Sequence, residues 1–175
     1  MQEVFHEALK RLEKGEPVVM ATVVRTKGST PQKPGAKLLV RQDGSGAGTL
    51  GGGCVEGDIW FAAKQLMDHG GSAEFREYEL NEDLAADDGL VCGGTMFFLI
   101  DPVYEAREYM PIVQEIEDAY KGNGAVALAT VIKSGNDGCS KIGDKLFIRE
   151  TGESEGSLGD PIVDDFAVEK ALSLM

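Results

Sequence analysis

The chain has 175 residues, 42% hydrophobic and 27% charged, which suffices for one ordinary globular domain or two small halves. Its net charge of −13 argues against a nucleic-acid-binding protein, which normally carries a basic field. No apolar run approaches the roughly 18–20 residues of a membrane span, and the first residues show no signal-peptide pattern. Three widely spaced cysteines argue against a disulfide scaffold, so we expect a reduced, cytoplasmic protein.

Hydrophobic periodicity predicts alternating helices and strands along the first part of the chain. Glycine, proline and hydroxyl residues favour a loop over 26–35, and acidic residues fill the connection 81–89. In chain order we predict a helix over 4–12, strands over 18–25 and 36–41, a short strand at Thr49 and Leu50, a helix over 55–69, strands over 75–80 and 95–100, and a helix over 105–120.

The second part of the chain repeats the first at a constant offset. Three blocks recur in order: 21–24 returns as 129–132, 35–38 as 143–146, and 48–51 as 156–159. This offset is too long for a solenoid repeat. It predicts an α+β (mixed α/β) fold of two related helix–strand–strand–helix units with internal pseudo-symmetry and a sheet flanked by helices.

The two copies divide the chain into residues 1–103, which carry the candidate site, and residues 104–175, a degenerate and truncated copy. Together they are expected to form one compact domain. The second copy ends before any counterpart of 92–94, so one edge of its sheet should be open. Pairing with another subunit would cover that edge, which predicts a homo-oligomer.

The candidate site is the run Gly51, Gly52, Gly53 and Cys54, which directly precedes the predicted helix. Glycines allow positive φ and close approach of a ligand, and the N–H groups at a helix start favour an anion. The second copy has Asp160, Pro161 and Ile162 in place of Gly52, Gly53 and Cys54. The chemistry is therefore assigned to the first copy, with Cys54 as its reactive or metal-ligating group.

Further residues around this loop fit an anionic ligand. The stretch 17–42 contains five basic residues and no acid, among them Lys27 and Lys33, and Cys92, Gly93 and Gly94 form a second cysteine–glycine cluster. Glu56 could polarise the thiol, bind an amide, or simply favour the helix start. Each cysteine could instead be a small buried hydrophobe. A zinc site is a poor fit, since no C-x-x-C motif occurs and the two histidines lack ligand spacing.

Four ordered motifs resemble the XdhC/CoxI family of maturation factors for xanthine and carbon monoxide dehydrogenases: 21–31, 33–37, 51–56 and 91–94. The resemblance implies binding of molybdenum cofactor and help with its sulfuration and insertion into a molybdenum hydroxylase. It implies that Cys54 and Cys92 are the functional thiols and that 51–53 is the ligand loop. Longer members continue into a Rossmann domain, and this sequence shows no G-x-G-x-x-G motif between a strand and a helix.

The needs of a pterin cofactor match this half of the chain. Its phosphate or nucleotide tail suits N–H groups and a cation, which the glycine loop with Lys27 or Lys33 could supply, and molybdenum suits a soft thiolate. A cofactor-binding chaperone is therefore favoured. The alternatives are a sulfurtransferase acting through a Cys54 persulfide and an interaction domain that has lost the chemistry. A separate Rossmann-domain chain or a cysteine desulfurase could be a further partner.

Overall fold

The computed structural model describes residues 1–80, 93–135 and 138–175. The first copy consists of two helices and the strands of one sheet, and the first helix of the second copy follows it. These elements are α1 (Gln2–Leu12), β1 (Val18–Lys27), β2 (Lys37–Arg41), β3 (Gly46–Gly48), α2 (Gly53–His69), β4 (Glu74–Glu79), β5 (Thr95–Val103) and α3 (Ala106–Tyr120). The predicted acidic connection 81–89 lies outside the described residues.

The second copy repeats this order in shorter form. Its elements are α3, the counterpart of α1, followed by β6 (Val126–Thr130), β7 (Lys145–Arg149), β8 (Ser154–Gly156) and α4 (Pro161–Leu174). The registers also repeat, because Ala21 lies opposite Leu38 and Ala129 lies opposite Leu146. The constant offset seen in the sequence therefore relates equivalent positions in space.

The strands form two antiparallel sheets. The first has five strands in the order β3-β2-β1-β5-β4, and the second has three in the order β6-β7-β8. The predicted α+β class is thus confirmed, and the strands and helices of the first copy are found near their predicted positions. None of the described helices is long and apolar enough to cross a membrane.

One predicted strand is wrong. The short strand expected at Thr49 and Leu50 lies at Gly46–Gly48 instead, paired with β2. Leu50 cannot continue the ladder because its N–H donates to the Glu56 carboxylate at 2.6 Å, and the Thr49 hydroxyl donates to the same oxygen at 2.7 Å. The turn into α2 therefore replaces the last rungs of the strand.

Both faces of the five-stranded sheet are covered, which explains why β1 is apolar at nearly every position. Val19, Ala21 and Val23 pack beneath α2. Val18 faces the opposite way and packs with α1 and α3. The glycine loop lies at the edge of the first core, where Leu50 is fully buried. A smaller core under α4 holds Leu146, Ile148, Leu158 and Ala171.

Candidate functional site

Three consecutive glycines lead into α2 in a backbone conformation that other residues rarely adopt. The φ angles of Gly51, Gly52 and Gly53 are 110°, 76° and 69°. A Cβ on Gly51 would lie 2.8 Å from the Pro31 ring, whereas Gly52 and Gly53 face open space. Gly51 is therefore needed for packing, while Gly52 and Gly53 leave the start of the helix accessible.

Cys54 lies in the first turn of α2 and is exposed to solvent. The alternative that it serves as a small buried hydrophobe is therefore wrong. The equivalent position in the second copy is also solvent-facing, since Ile162 is 79% exposed. The fold thus places this side chain at the surface in both copies.

The glycine loop is held by Glu56, one turn into α2. A single carboxylate oxygen accepts hydrogen bonds from the Thr49 hydroxyl at 2.7 Å, the Leu50 N–H at 2.6 Å and the Gly52 N–H at 3.1 Å. Burial by itself raises the pKa of Glu56, but these hydrogen bonds lower it below its usual value. Glu56 therefore binds amides, one of the roles considered for it, and fixes the loop as an anion.

The second copy contains the same brace. Asp164, the equivalent of Glu56, accepts from the Ser157 hydroxyl at 2.7 Å and from the Leu158 N–H at 2.6 Å. A brace present in both copies belongs to the scaffold. The internal repeat of the sequence aligns Glu56 with Asp164. An acidic residue at both positions was the signal from which the bracing role could have been predicted.

The two copies differ in how the helix begins. Helix α4 has Asp160 as N-cap, whose side chain accepts from the Ile162 N–H at 2.8 Å, and Pro161 at its first position. Helix α2 begins after Gly52 with no side-chain cap. Within the described parts of the chain, the N–H groups of Gly53 and Cys54 have no hydrogen-bond acceptor. The first copy thus lacks the stabilising cap and leaves N–H groups available.

Three glycine segments meet around the loop that follows β1. A Cβ on Gly28 would lie 3.2 Å from the Gly93 carbonyl oxygen, and one on Gly94 would lie 2.3 Å from a carbonyl oxygen of the same loop. On its other side the loop contacts Gly51 through Pro31. The structure therefore brings the predicted segments 51–53 and 93–94 to the two sides of one loop.

The predicted lysines lie beside this loop and are exposed. Lys27 ends β1, with its Nζ 5.3 Å from the centre of the Phe97 ring, and Lys33 lies within the loop. Cys92 lies outside the described residues. Among the described residues no group of three His, Cys, Asp or Glu side chains could hold a metal ion.

Comparison with known proteins places this chain in a family. A profile described as the XdhC and CoxI family matches residues 11–79 and again residues 119–175. The chain belongs to the XdhC and CoxI family. The two matches begin at equivalent positions of the two copies, so the family pattern occurs once in each copy. The resemblance seen in the loop motifs is thereby confirmed.

Two curated relatives of this family member carry informative names. The molybdenum cofactor insertion chaperone PaoD of Escherichia coli is 30% identical over 114 residues, covering 65% of this chain and 35% of the relative. A protein of Bacillus subtilis named as a probable xanthine dehydrogenase subunit is 29% identical over 151 residues, covering 85% of this chain and 42% of the relative. The chain therefore spans less than half of the length of either relative.

A solved structure has the same fold. The crystal structure of a protein described as a xanthine dehydrogenase from Bacillus halodurans superposes with a TM-score of 0.65 at 25% sequence identity. The match covers 89% of this XdhC and CoxI family member and 47% of the other chain. It includes most of both copies.

Proposed function

We propose that this chain is a cytoplasmic maturation factor that binds molybdenum cofactor and assists its insertion into a molybdenum hydroxylase of the xanthine or carbon monoxide dehydrogenase type. Membership of the XdhC and CoxI family and the name of the relative PaoD support this role. In this proposal the cofactor binds at the start of α2, and the chain also assists sulfuration of the cofactor. The factor acts as a homo-oligomer.

The difference between the two copies is the observation that carries the proposal. In the second copy, Asp160 caps the start of α4 and Pro161 occupies its first position, and both residues stabilise a helix N-terminus. The first copy has Gly52, Gly53 and an exposed Cys54 on the same scaffold. Packing does not require these residues, so ligand binding is the better explanation for them.

Each part of the cofactor has a matching group in this arrangement. The N–H groups of Gly53 and Cys54 suit the phosphate of the pterin tail, and the exposed ammonium of Lys27 or Lys33 adds positive charge. The thiolate of Cys54 suits molybdenum, which is a soft-ligand metal in this cofactor. Gly93 and Gly94 complete the proposed site from the other side of the loop, and Cys92, which lies outside the described residues, is the second thiol that the family resemblance implies.

Cofactor retention tests the proposal. The chain is purified from a molybdenum-replete host, and bound molybdenum and pterin are quantified. Cys54→Ser should lose most of the metal, whereas the matched control Cys139→Ser, at the degenerate loop of the second copy, should retain it. Equal metal and pterin in wild type and Cys54→Ser, together with full activation of a partner hydroxylase, would refute the site.

A second candidate function is sulfur transfer through a persulfide on Cys54. The solvent exposure of this thiol supports it, since a persulfide must reach both a desulfurase and the cofactor. Mass spectrometry after incubation with a cysteine desulfurase and cysteine should then show one added sulfur on Cys54. An interaction domain without chemistry would instead bind the hydroxylase while carrying neither cofactor nor sulfur.

A further inference from the structure

The outward face of α2 carries Cys54 at its start and an exposed aromatic ring two turns further on. Cys54, Asp58 and Phe61 are all exposed to solvent and follow one another at spacings of four and three residues. Side chains at these spacings lie on one face of a helix, and seven residues extend about 10 Å along its axis. The thiol to which the proposed function assigns the cofactor therefore shares one helix face with Phe61.

The Phe61 ring takes no part in the core of the domain. It is 66% exposed, and among the described residues no aromatic ring or cation packs on it. The neighbouring Trp60, by contrast, packs against the core beneath α2. Phe166, an exposed phenylalanine of α4, has the Lys170 ammonium 5.3 Å from the centre of its ring. Position 61 is Glu169 in the second copy, so the scaffold does not require an apolar residue there.

A glycine lies on the same face between Cys54 and Phe61, and packing does not explain it. Gly57 has no positive φ, and a Cβ at this position would meet no neighbouring side chain or segment within 4 Å. Glycine inside a helix is destabilising relative to alanine, and α4 has Asp165 at the equivalent position. The bare backbone at Gly57 leaves room for another molecule to approach α2 closely.

The charge of this face is negative. Asp58 is exposed and forms no ion pair with any of the described residues. The whole chain has a net charge of −13. A protein that docks here with a basic residue facing Asp58 gains in rate of encounter and in orientation, because complementary potentials steer association and fix the register.

We propose that the outward face of α2, from Cys54 through Gly57 and Asp58 to Phe61, is the docking surface for the apo-hydroxylase that receives the cofactor. The inference rests on the proposed function. A recipient that takes the cofactor from Cys54 approaches the start of α2 and covers the next two turns of the same helix face. Phe61 then fills an apolar pocket of the recipient, and a lysine or arginine of the recipient pairs with Asp58. An aromatic anchor within a polar rim is the usual composition of a binding hot spot.

Association and transfer are measured with the full chain, purified with its cofactor. The recipients are the apo forms of a xanthine dehydrogenase and a carbon monoxide dehydrogenase, produced in a host that cannot make the cofactor. Surface plasmon resonance gives the Kd, and the recovery of hydroxylase activity after mixing gives the rate of transfer. Phe61→Ala should retain molybdenum and pterin at the wild-type level but associate about tenfold more weakly and transfer more slowly. Asp58→Asn should slow association at low salt and have little effect at high salt.

Two variants separate docking from folding. Phe166→Ala removes a similarly exposed ring from α4 and should leave association and transfer unchanged. Gly57→Leu fills the gap on the helix face and should weaken association, although it raises the midpoint of thermal unfolding because leucine is the better helix former. A purely structural role of Gly57 would move stability and association in the same direction.

Several results would overturn the docking surface. One is a cofactor-loaded wild-type chain that binds neither apo-enzyme, and another is Phe61→Ala that binds and transfers as well as wild type. A third is a wild-type dimer that dissociates with Phe61→Ala while transfer is unchanged, since a second copy would then occupy this face. Absence of cofactor from the wild-type chain would refute the proposed function instead, and docking is then judged from the association of the cofactor-free chain and its Phe61→Ala variant.

Discussion

The brace beneath the glycine loop gives the sharpest test, because the chain contains its own control. Glu56→Gln keeps the size of the side chain and an acceptor oxygen but removes the charge. One oxygen of Glu56 accepts three hydrogen bonds, from Thr49, Leu50 and Gly52. Hydrogen bonds to charged groups contribute about 1.5–3 kcal/mol each, roughly twice as much as neutral ones.

The expected loss follows from these values. Halving the contribution of each of these three hydrogen bonds lowers the free energy of unfolding by about 2–4 kcal/mol. The loop is partly exposed, which reduces the expected loss to about 2 kcal/mol. For a chain of this size the midpoint of thermal unfolding should fall by about 4–8 °C. Thermal unfolding followed by circular dichroism measures this change, and bound molybdenum is measured on the same preparations.

The matched control is Asp164→Asn, which weakens the equivalent brace of the second copy. Both variants should lose stability, but only Glu56→Gln should also lose bound cofactor, because only the first copy carries the site. Unchanged stability in Glu56→Gln would refute the account of the brace. Loss of cofactor in Asp164→Asn but not in Glu56→Gln would refute the assignment of the site to the first copy.

The pH dependence of the same variant has a definite sign. Because the folded pKa of Glu56 is lowered, its contribution to stability is present above the usual glutamate pKa of about 4.3 and is lost as pH falls through the folded pKa. The stability difference between wild type and Glu56→Gln should therefore be constant near neutral pH and shrink below about pH 4. A difference that grows on acidification would contradict the hydrogen-bonding account.

Two further predictions concern the helix start and the contact between the copies. The double variant Gly52→Asp/Gly53→Pro, which copies Asp160 and Pro161, should abolish molybdenum retention and lower the free energy of unfolding by about 1–3 kcal/mol, because the φ angles of 76° and 69° at Gly52 and Gly53 suit neither aspartate nor proline. Retained molybdenum would show that these N–H groups are not ligand contacts. Asp101→Leu leaves Lys145 buried and unpaired and should cost about 3–5 kcal/mol, whereas Asp101→Leu/Lys145→Met should recover most of this in urea titrations. No recovery would contradict the ion pair.

Local sequence patterns predicted the helices and strands whose formation depends on their own side chains. The apolar periodicity of α1 and α2 and the β-branched run of β1 predicted those elements, because the same side chains form the buried core. The prediction failed at Thr49 and Leu50, where composition favours a strand. There a carboxylate one turn into the next helix takes the hydrogen bonds that a strand would need, and such competition depends on three-dimensional proximity.

The sequence by itself determined the family, the internal repeat with its constant offset, and the candidate status of Gly51, Gly52, Gly53 and Cys54. These are properties of residue identity and order, so a single chain is sufficient to reveal them. Only the tertiary structure decided that Cys54 is exposed, that Glu56 braces the loop, and that β6 has an edge left unpaired by the described strands. Exposure, shared hydrogen bonds and strand pairing depend on which distant segments meet, and local sequence patterns do not show those contacts.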